Sequence, residues 1–193
     1  TNLRFVEGLH GDGSNALIAL DATGANILLR HEYVPGVWSL EPSIPTVTAD
    51  GGATDLTEVQ WRGTGSTNPL ELCYASGVGM RVLDLSTGAS IYNRGTTLAS
   101  HVGRAQTNGT LDRIEWLAGP TGNGKSYLSS VGPSGILGTI EIVDAAASDL
   151  AVKDINGDGI GDSVITFSNK ENVLLVEGGL TTGVSNTQTW ING

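Results

Sequence analysis

The sequence predicts an all-β fold of about four repeated units, each with three to four antiparallel strands. Three observations carry this expectation. Glycine is abundant, at 28 of 193 residues, while only 16% of residues are charged. That mixture suits short strands joined by tight turns and suits long helices poorly. Apolar and polar residues alternate over short runs, as around residues 72–74, 80–82, 164–167 and 173–175, the period of a strand. Finally, segments starting at Leu3, Leu56, Leu111 and Leu150 repeat one order of features.

Each segment opens with a short strand that ends in a polar or aromatic residue. A Gly-rich loop follows, then a second strand, a tight Gly or Asn turn and a third strand. The first unit reads LRFVEGLHGDGSNALIALDATGANILL, with VWSLEP after Gly36 as its fourth strand. The second reads LTEVQWRGTGSTNPLELCYASGVGMRVLDLSTG, with ASIYNR after Gly88. The third reads LDRIEWLAGPTGNGKSYLSSVGPSGILGTIEIVD and is expected to lack a fourth strand, because IEIVDAAAS runs straight into the next unit. The fourth reads LAVKDINGDGIGDSVITFSNKENVLLVEGG and ends in QTWING. The expected repeats are 3–50, 56–105, 111–147 and 150–193. Four strands in about 50 residues, repeated, is the period of a β-propeller blade. The reading is therefore a complete small propeller or a segment of a larger one.

Residues 119–126, GPTGNGKS, satisfy the nucleotide phosphate-loop pattern in full. That chemistry needs a helix starting near Lys125, so that its positive end faces the anion. The following YLSSVGPSGILG carries Gly132-Pro133 and Gly135, which break a helix. The repeat instead places GPTGNGKS in the loop between first and second strands, with Lys125 opening a strand. No nucleotide is expected to bind.

The fourth unit's loop differs. Asp154, Asn156, Asp158 and Asp162 occupy its positions 1, 3, 5 and 9. Alternate side chains of a curled loop converge, and calcium takes six to eight oxygens at roughly 2.3–2.6 Å. Gly159 permits the sharp turn, and the backbone carbonyl of Ile160 adds an oxygen. An EF-hand is excluded, because Ile165 stands where the bidentate Glu belongs and strand-like runs flank the loop.

Residues 154–167, DINGDGIGDSVITF, resemble the D-x-N-x-D-G-x-x-D pattern of FG-GAP or VCBS repeats, the blade units of integrin-α-like propellers. The resemblance covers about thirty residues of the fourth unit and is weak over the others. It implies a propeller with Ca²⁺ in such a loop, in proteins of extracellular adhesion, ligand recognition or polysaccharide processing. The first unit keeps Asp12 and Gly13 but has Gly8 and Ala16 where the outer acids belong, and the second and third loops have no acid. One structural ion is expected.

The net charge of −10, with Lys125, Lys153 and Lys170 as the lysines, excludes the basic stripe that nucleic-acid binding needs. It also disfavours anionic membrane surfaces. No apolar run approaches 18 residues, so no membrane insertion is expected, and no signal pattern precedes Thr1, which reads as a mature or excised start. Cys73, the lone cysteine, sits in apolar LELCYAS and reads as a small buried hydrophobe. Trp61 and Trp116 are expected at one repeat position, packed between blades, and Trp38 and Trp190 in outer strands. No zinc spacing of histidines and no G-x-S-x-G elbow occurs. The function expected is a binder rather than an enzyme: an extracellular or cell-surface recognition module for a glycan or protein receptor. The rivals are an accessory or catalytic propeller of a carbohydrate-active enzyme and the receptor-binding head of a viral or cell-surface fibre.

Overall fold

The computed structural model describes residues 3–7, 15–20, 23, 26–34, 36–40, 46–49, 51–62, 71–85, 87–95, 99–105, 111–119, 124–142, 146–178, 180 and 187–192. All regular elements among them are strands. Blade 1 contains β1 (Leu3–Glu7), β2 (Asn15–Leu20), β3 (Asn26–Val34) and β4 (Val37–Leu40), with β5 (Thr46–Thr48) added against β3. Blade 2 contains β6 (Ala53–Val59), β7 (Glu71–Ser76), β8 (Gly79–Leu83) and β9 (Ser90–Gly95). Blade 3 contains β10 (Ala99–Ala105), β11 (Arg113–Ala118), β12 (Ser126–Gly132) and β13 (Gly135–Ile142). Blade 4 contains β14 (Ala147–Lys153), β15 (Asp162–Phe167), β16 (Val173–Val176) and β17 (Gln188–Ile191). Each blade is an antiparallel meander, and the fold is propeller-like, as the sequence predicts.

The third unit needs correction. Ala99–Ala105 does not close the second blade; it is the first strand of the third and pairs with β11. Blade 3 therefore has all four strands, and its LDRIEW run belongs to the second of them. The strand ASHVGRA was hard to see because Val102 is its only large aliphatic residue. The loop GPTGNGKS accordingly joins second and third strands. Gly132-Pro133-Ser134-Gly135, the predicted helix breaker, is the turn of the β12–β13 hairpin, where Gly132 pairs with Gly135 and Gly135 has φ +122°.

Burial follows position within a blade. Every residue of β7 is buried, because neighbouring blades cover both faces of this inner strand. The outer strand β9 is half-buried to exposed. Three apolar clusters fill the seams. Ile18, Leu20 and Ile27 of blade 1 meet Leu56, Leu72, Tyr74 and Leu83 of blade 2. Cys73, Ala75, Met80 and Val82 meet Val102, Ile114, Trp116 and Val131 of blade 3. Leu117, Leu128 and Ile142 meet Leu150, Ile165, Phe167 and Leu174 of blade 4.

The first strands line the hub: β1 contacts β6, β6 packs on β10, and β10 on β14. Gly103 lets blades 3 and 4 approach there, since a Cβ would run into Val152 Cγ2. Among the described residues the sheets form an open arc rather than a closed ring.

Candidate metal centre

The loop 154–162 connects β14 to β15, the position the sequence assigns it. Its glycines Gly157 and Gly159 both have φ +82°, a left-handed conformation that side chains resist. This turns successive backbone N–H groups inward, and the acidic side chains collect them. Asp154 accepts from Gly157 N–H at 2.7 Å and from Gly159 N–H at 2.8 Å. Asn156 Oδ1 accepts from Asp158 N–H at 3.0 Å, and Asp158 Oδ1 from Ile160 N–H at 2.8 Å. Asn156 Nδ2 donates to Asp158 Oδ2 at 3.2 Å.

Asp162 plays a different part. It is fully buried at the start of β15. Its carboxylate accepts from Ile155 N–H at 2.8 Å and from Gly178 N–H at 2.7 Å. It thus closes the loop and fastens it to the segment after β16. Two other blades hold a carboxylate at the same place. Glu71, first in β7, accepts from Trp61 N–H at 2.8 Å and Arg62 Nε at 2.6 Å. Asp112, just before β11, accepts from Gln60 N–H at 2.7 Å and Arg104 Nε at 2.6 Å. The sequence signal was an acid at the start of the second strand in blades 2, 3 and 4, which the misplaced third unit hid.

The five predicted ligand residues therefore share one loop, but the side chains of Asp154, Asn156, Asp158 and Asp162 turn to backbone N–H groups. Among the described residues, no three His, Cys, Asp or Glu side chains gather with the geometry of a metal site. The donor chemistry still fits a hard cation. It is all oxygen, and each carboxylate oxygen keeps a second lone pair after accepting one N–H. Asp12 and residues 63–70 and 120–123, which belong to the other predicted loops, lie outside the described residues.

A second feature escaped the sequence reading. The first strands β6, β10 and β14 wall a groove of about 500 Å³ at the hub. Glu58, Arg104, Lys153 and Asp154 bring charges of both signs to it.

The remaining candidates are structural in their contacts. Lys125 Nζ pairs with Glu141 at 2.7 Å, and the strand β12 follows it. Trp61 and Trp116 are both buried in the seam between blades 2 and 3. They do not hold equivalent positions, since Trp61 follows β6 whereas Trp116 lies inside β11. Trp61 packs on Tyr92 with ring centroids 5.0 Å apart. Trp190 stacks on Phe167 at 5.4 Å, with Lys170 Nζ 5.2 Å from its ring centroid. Cys73 is buried, and burial holds its thiol well above the usual range. Glu115 is buried in β11, where burial pushes its carboxyl up to about 7 against a hydrogen bond from Ser130 Oγ at 2.8 Å. No helix among the described residues is long and apolar enough to cross a membrane.

No family model matches this chain, and no curated protein does. A solved structure does: the crystal structure of BBS1N in complex with ARL6DN, soaked with lead. The two are 13% identical, with a TM-score of 0.65 over 98% of this chain. The chain spans about half of that one, 53% of its length. At this identity the likeness speaks for the fold.

Proposed function

We propose that the chain is an extracellular, calcium-stabilised recognition module of the FG-GAP/VCBS kind, with a protein partner favoured over a glycan. The observation that carries the reading is the hub groove. Its opposed charges, Glu58 against Lys153, suit a partner that itself carries both signs, as a protein surface does. The BBS1N structure is in a complex with another protein, ARL6DN, which supports a protein partner for a blade arc of this shape. Trp190, one of two exposed tryptophans with Trp38, stacks on Phe167 and has Lys170 Nζ near its ring.

Calcium is assigned to Asp154, Asn156, Asp158, the Ile160 carbonyl and Asp162. Bound there, the ion would offset two of the three carboxylate charges that the short loop gathers. The oxygens already accept N–H groups and the loop is largely exposed, so the affinity is low. Weak sites fill where calcium is abundant, as in extracellular modules with Kd of about 10⁻⁴–10⁻³ M.

The test is an array of extracellular proteins and an array of glycans, probed with this chain with and without calcium. Binding to a protein that Lys153→Glu or Glu58→Lys abolishes supports the groove. Binding to glycans alone, or turnover of a glycan, overturns the reading.

A further inference from the structure

The geometry points to a second copy of this chain as the occupant of the open sheet face of blade 4, with two four-blade arcs joined head to tail into one ring. Each internal seam has one form: the forward face of a blade meets the backward face of the next. In blade 2 the forward face includes Cys73 and Val82, which pair across β7 and β8. In blade 3 it includes Leu117 and Leu128, paired across β11 and β12. Cross-strand partners point to the same side of a sheet. One blade further on, the corresponding row is Ala151, Val164 and Leu175, paired across β14, β15 and β16, with Val173 and Ile191 beside it. These residues are half-buried or exposed, Ile191 at 49%. They continue the seam pattern, yet no described residue of a following blade covers them.

The opposite end of the arc supplies the matching surface. Ile18 and Leu20 of β2 face blade 2. Their neighbours Leu17 and Ala19 therefore face backward, and both are only half-buried. The chain thus carries both halves of a blade seam that it does not close on itself. A heterologous contact of this kind closes when the rotation permits and otherwise grows into a filament. Two four-blade arcs make eight blades, within the range of about 4–8 that propellers adopt.

Sedimentation of the chain at micromolar concentration, with circular dichroism to confirm folding, tests this. A species of twice 19.9 kDa is expected. Leu175→Asp and Leu17→Asp are each expected to yield folded monomers. Mixing the two variants should restore part of the dimer, because one of the two seams in the mixed ring is then unaltered. A monomeric parent chain overturns the proposal and leaves the face to a further blade or another protein. A dimer indifferent to both substitutions, or an open polymer, overturns it as well. If Leu175→Asp fails to fold, Thr189→Arg on the exposed outer strand of the same face replaces it, and if Leu17→Asp fails, Ala19→Glu on the same side of β2 replaces it, with the same outcomes.

Discussion

Asp112 and Gln60 bond to each other twice, across the seam between blades 2 and 3. The Asp112 carboxylate accepts from Gln60 N–H at 2.7 Å, and Asp112 N–H donates to the Gln60 carbonyl at 3.0 Å. The same Asp112 oxygen takes Arg104 Nε at 2.6 Å. A residue before one second strand therefore fixes the end of the previous blade's first strand. Asp112→Ala leaves a backbone donor and a guanidinium without their acceptor. The expected cost is about 1–3 kcal/mol, read as a melting temperature several degrees lower. An unchanged melting temperature would show that the pair adds nothing to the seam.

The tryptophans supply apolar area to that same seam. Trp61 and Trp116 are 4% and 5% exposed. Replacing either by Ala is expected to cost about 3–5 kcal/mol, the range for large-to-small changes in a core. Chemical denaturation measures it. A loss below about 1 kcal/mol would remove them from the packing account.

Glu115 makes stability depend on pH. Its carboxyl is raised from 4.5 to about 7 by burial, with Ser130 and Arg113 as the groups that oppose the shift. Between those values the folded state holds a proton that the unfolded chain releases, so stability falls as pH rises from 4.5 to 7. The full effect is on the order of 3 kcal/mol. Glu115→Gln keeps a neutral partner for Ser130 and should flatten the decline. His101 adds the same sign, because its pKa is raised from 6.5, chiefly by Asp55, and its contribution is lost as pH rises through that raised value. The variant therefore keeps a residual slope above 6.5. Equal denaturation midpoints at pH 5 and pH 8 in the parent chain would sink the assignment.

Fold and site were legible to different depths. Strand alternation and glycine turns exposed three of the four blades, because residues such as Leu72, Tyr74, Ile165 and Leu174 must face a seam. Blade 3 slipped because ASHVGRA packs through Gly103 and Val102 rather than through an alternating apolar run. Its closeness to blade 4 depends on the absence of a side chain, which no hydrophobic pattern registers. The acidic loop was found as a spacing, and its residues do share one turn. Their preference for backbone N–H groups depends on the φ of Gly157 and Gly159, which spacing does not specify. The hub groove joins residues from three blades, and no local stretch could reveal it.

The phosphate-loop match makes a negative prediction. Lys125 opens onto a strand and pairs with Glu141 at 2.7 Å, so no helix end faces an anion there. Titration calorimetry with ATP or GTP is expected to give no heat of binding. Affinity better than about 100 μM, some 5.5 kcal/mol, that disappears in Lys125→Ala would overturn this reading.

The calcium loop is tested through stability rather than activity. An ion that binds only the folded chain stabilises it by about 2.7 kcal/mol at a hundredfold excess over Kd. Chelation is therefore expected to lower the melting temperature by several degrees. Magnesium should substitute poorly, because it demands a tight octahedral shell. The choice of variant matters. Asp162→Ala would destabilise the chain with or without the ion, since Asp162 is buried and holds the Ile155 and Gly178 N–H groups. Asp158 is exposed, and its backbone bond to Ile160 lies within the loop. Asp158→Ala should therefore abolish the response to chelator while leaving the metal-free melting temperature nearly unchanged. Asp12→Ala should leave the response intact. If Asp12→Ala removes the response and Asp158→Ala does not, the ion belongs to the first blade. The fourth loop is then held by its own N–H bonds alone.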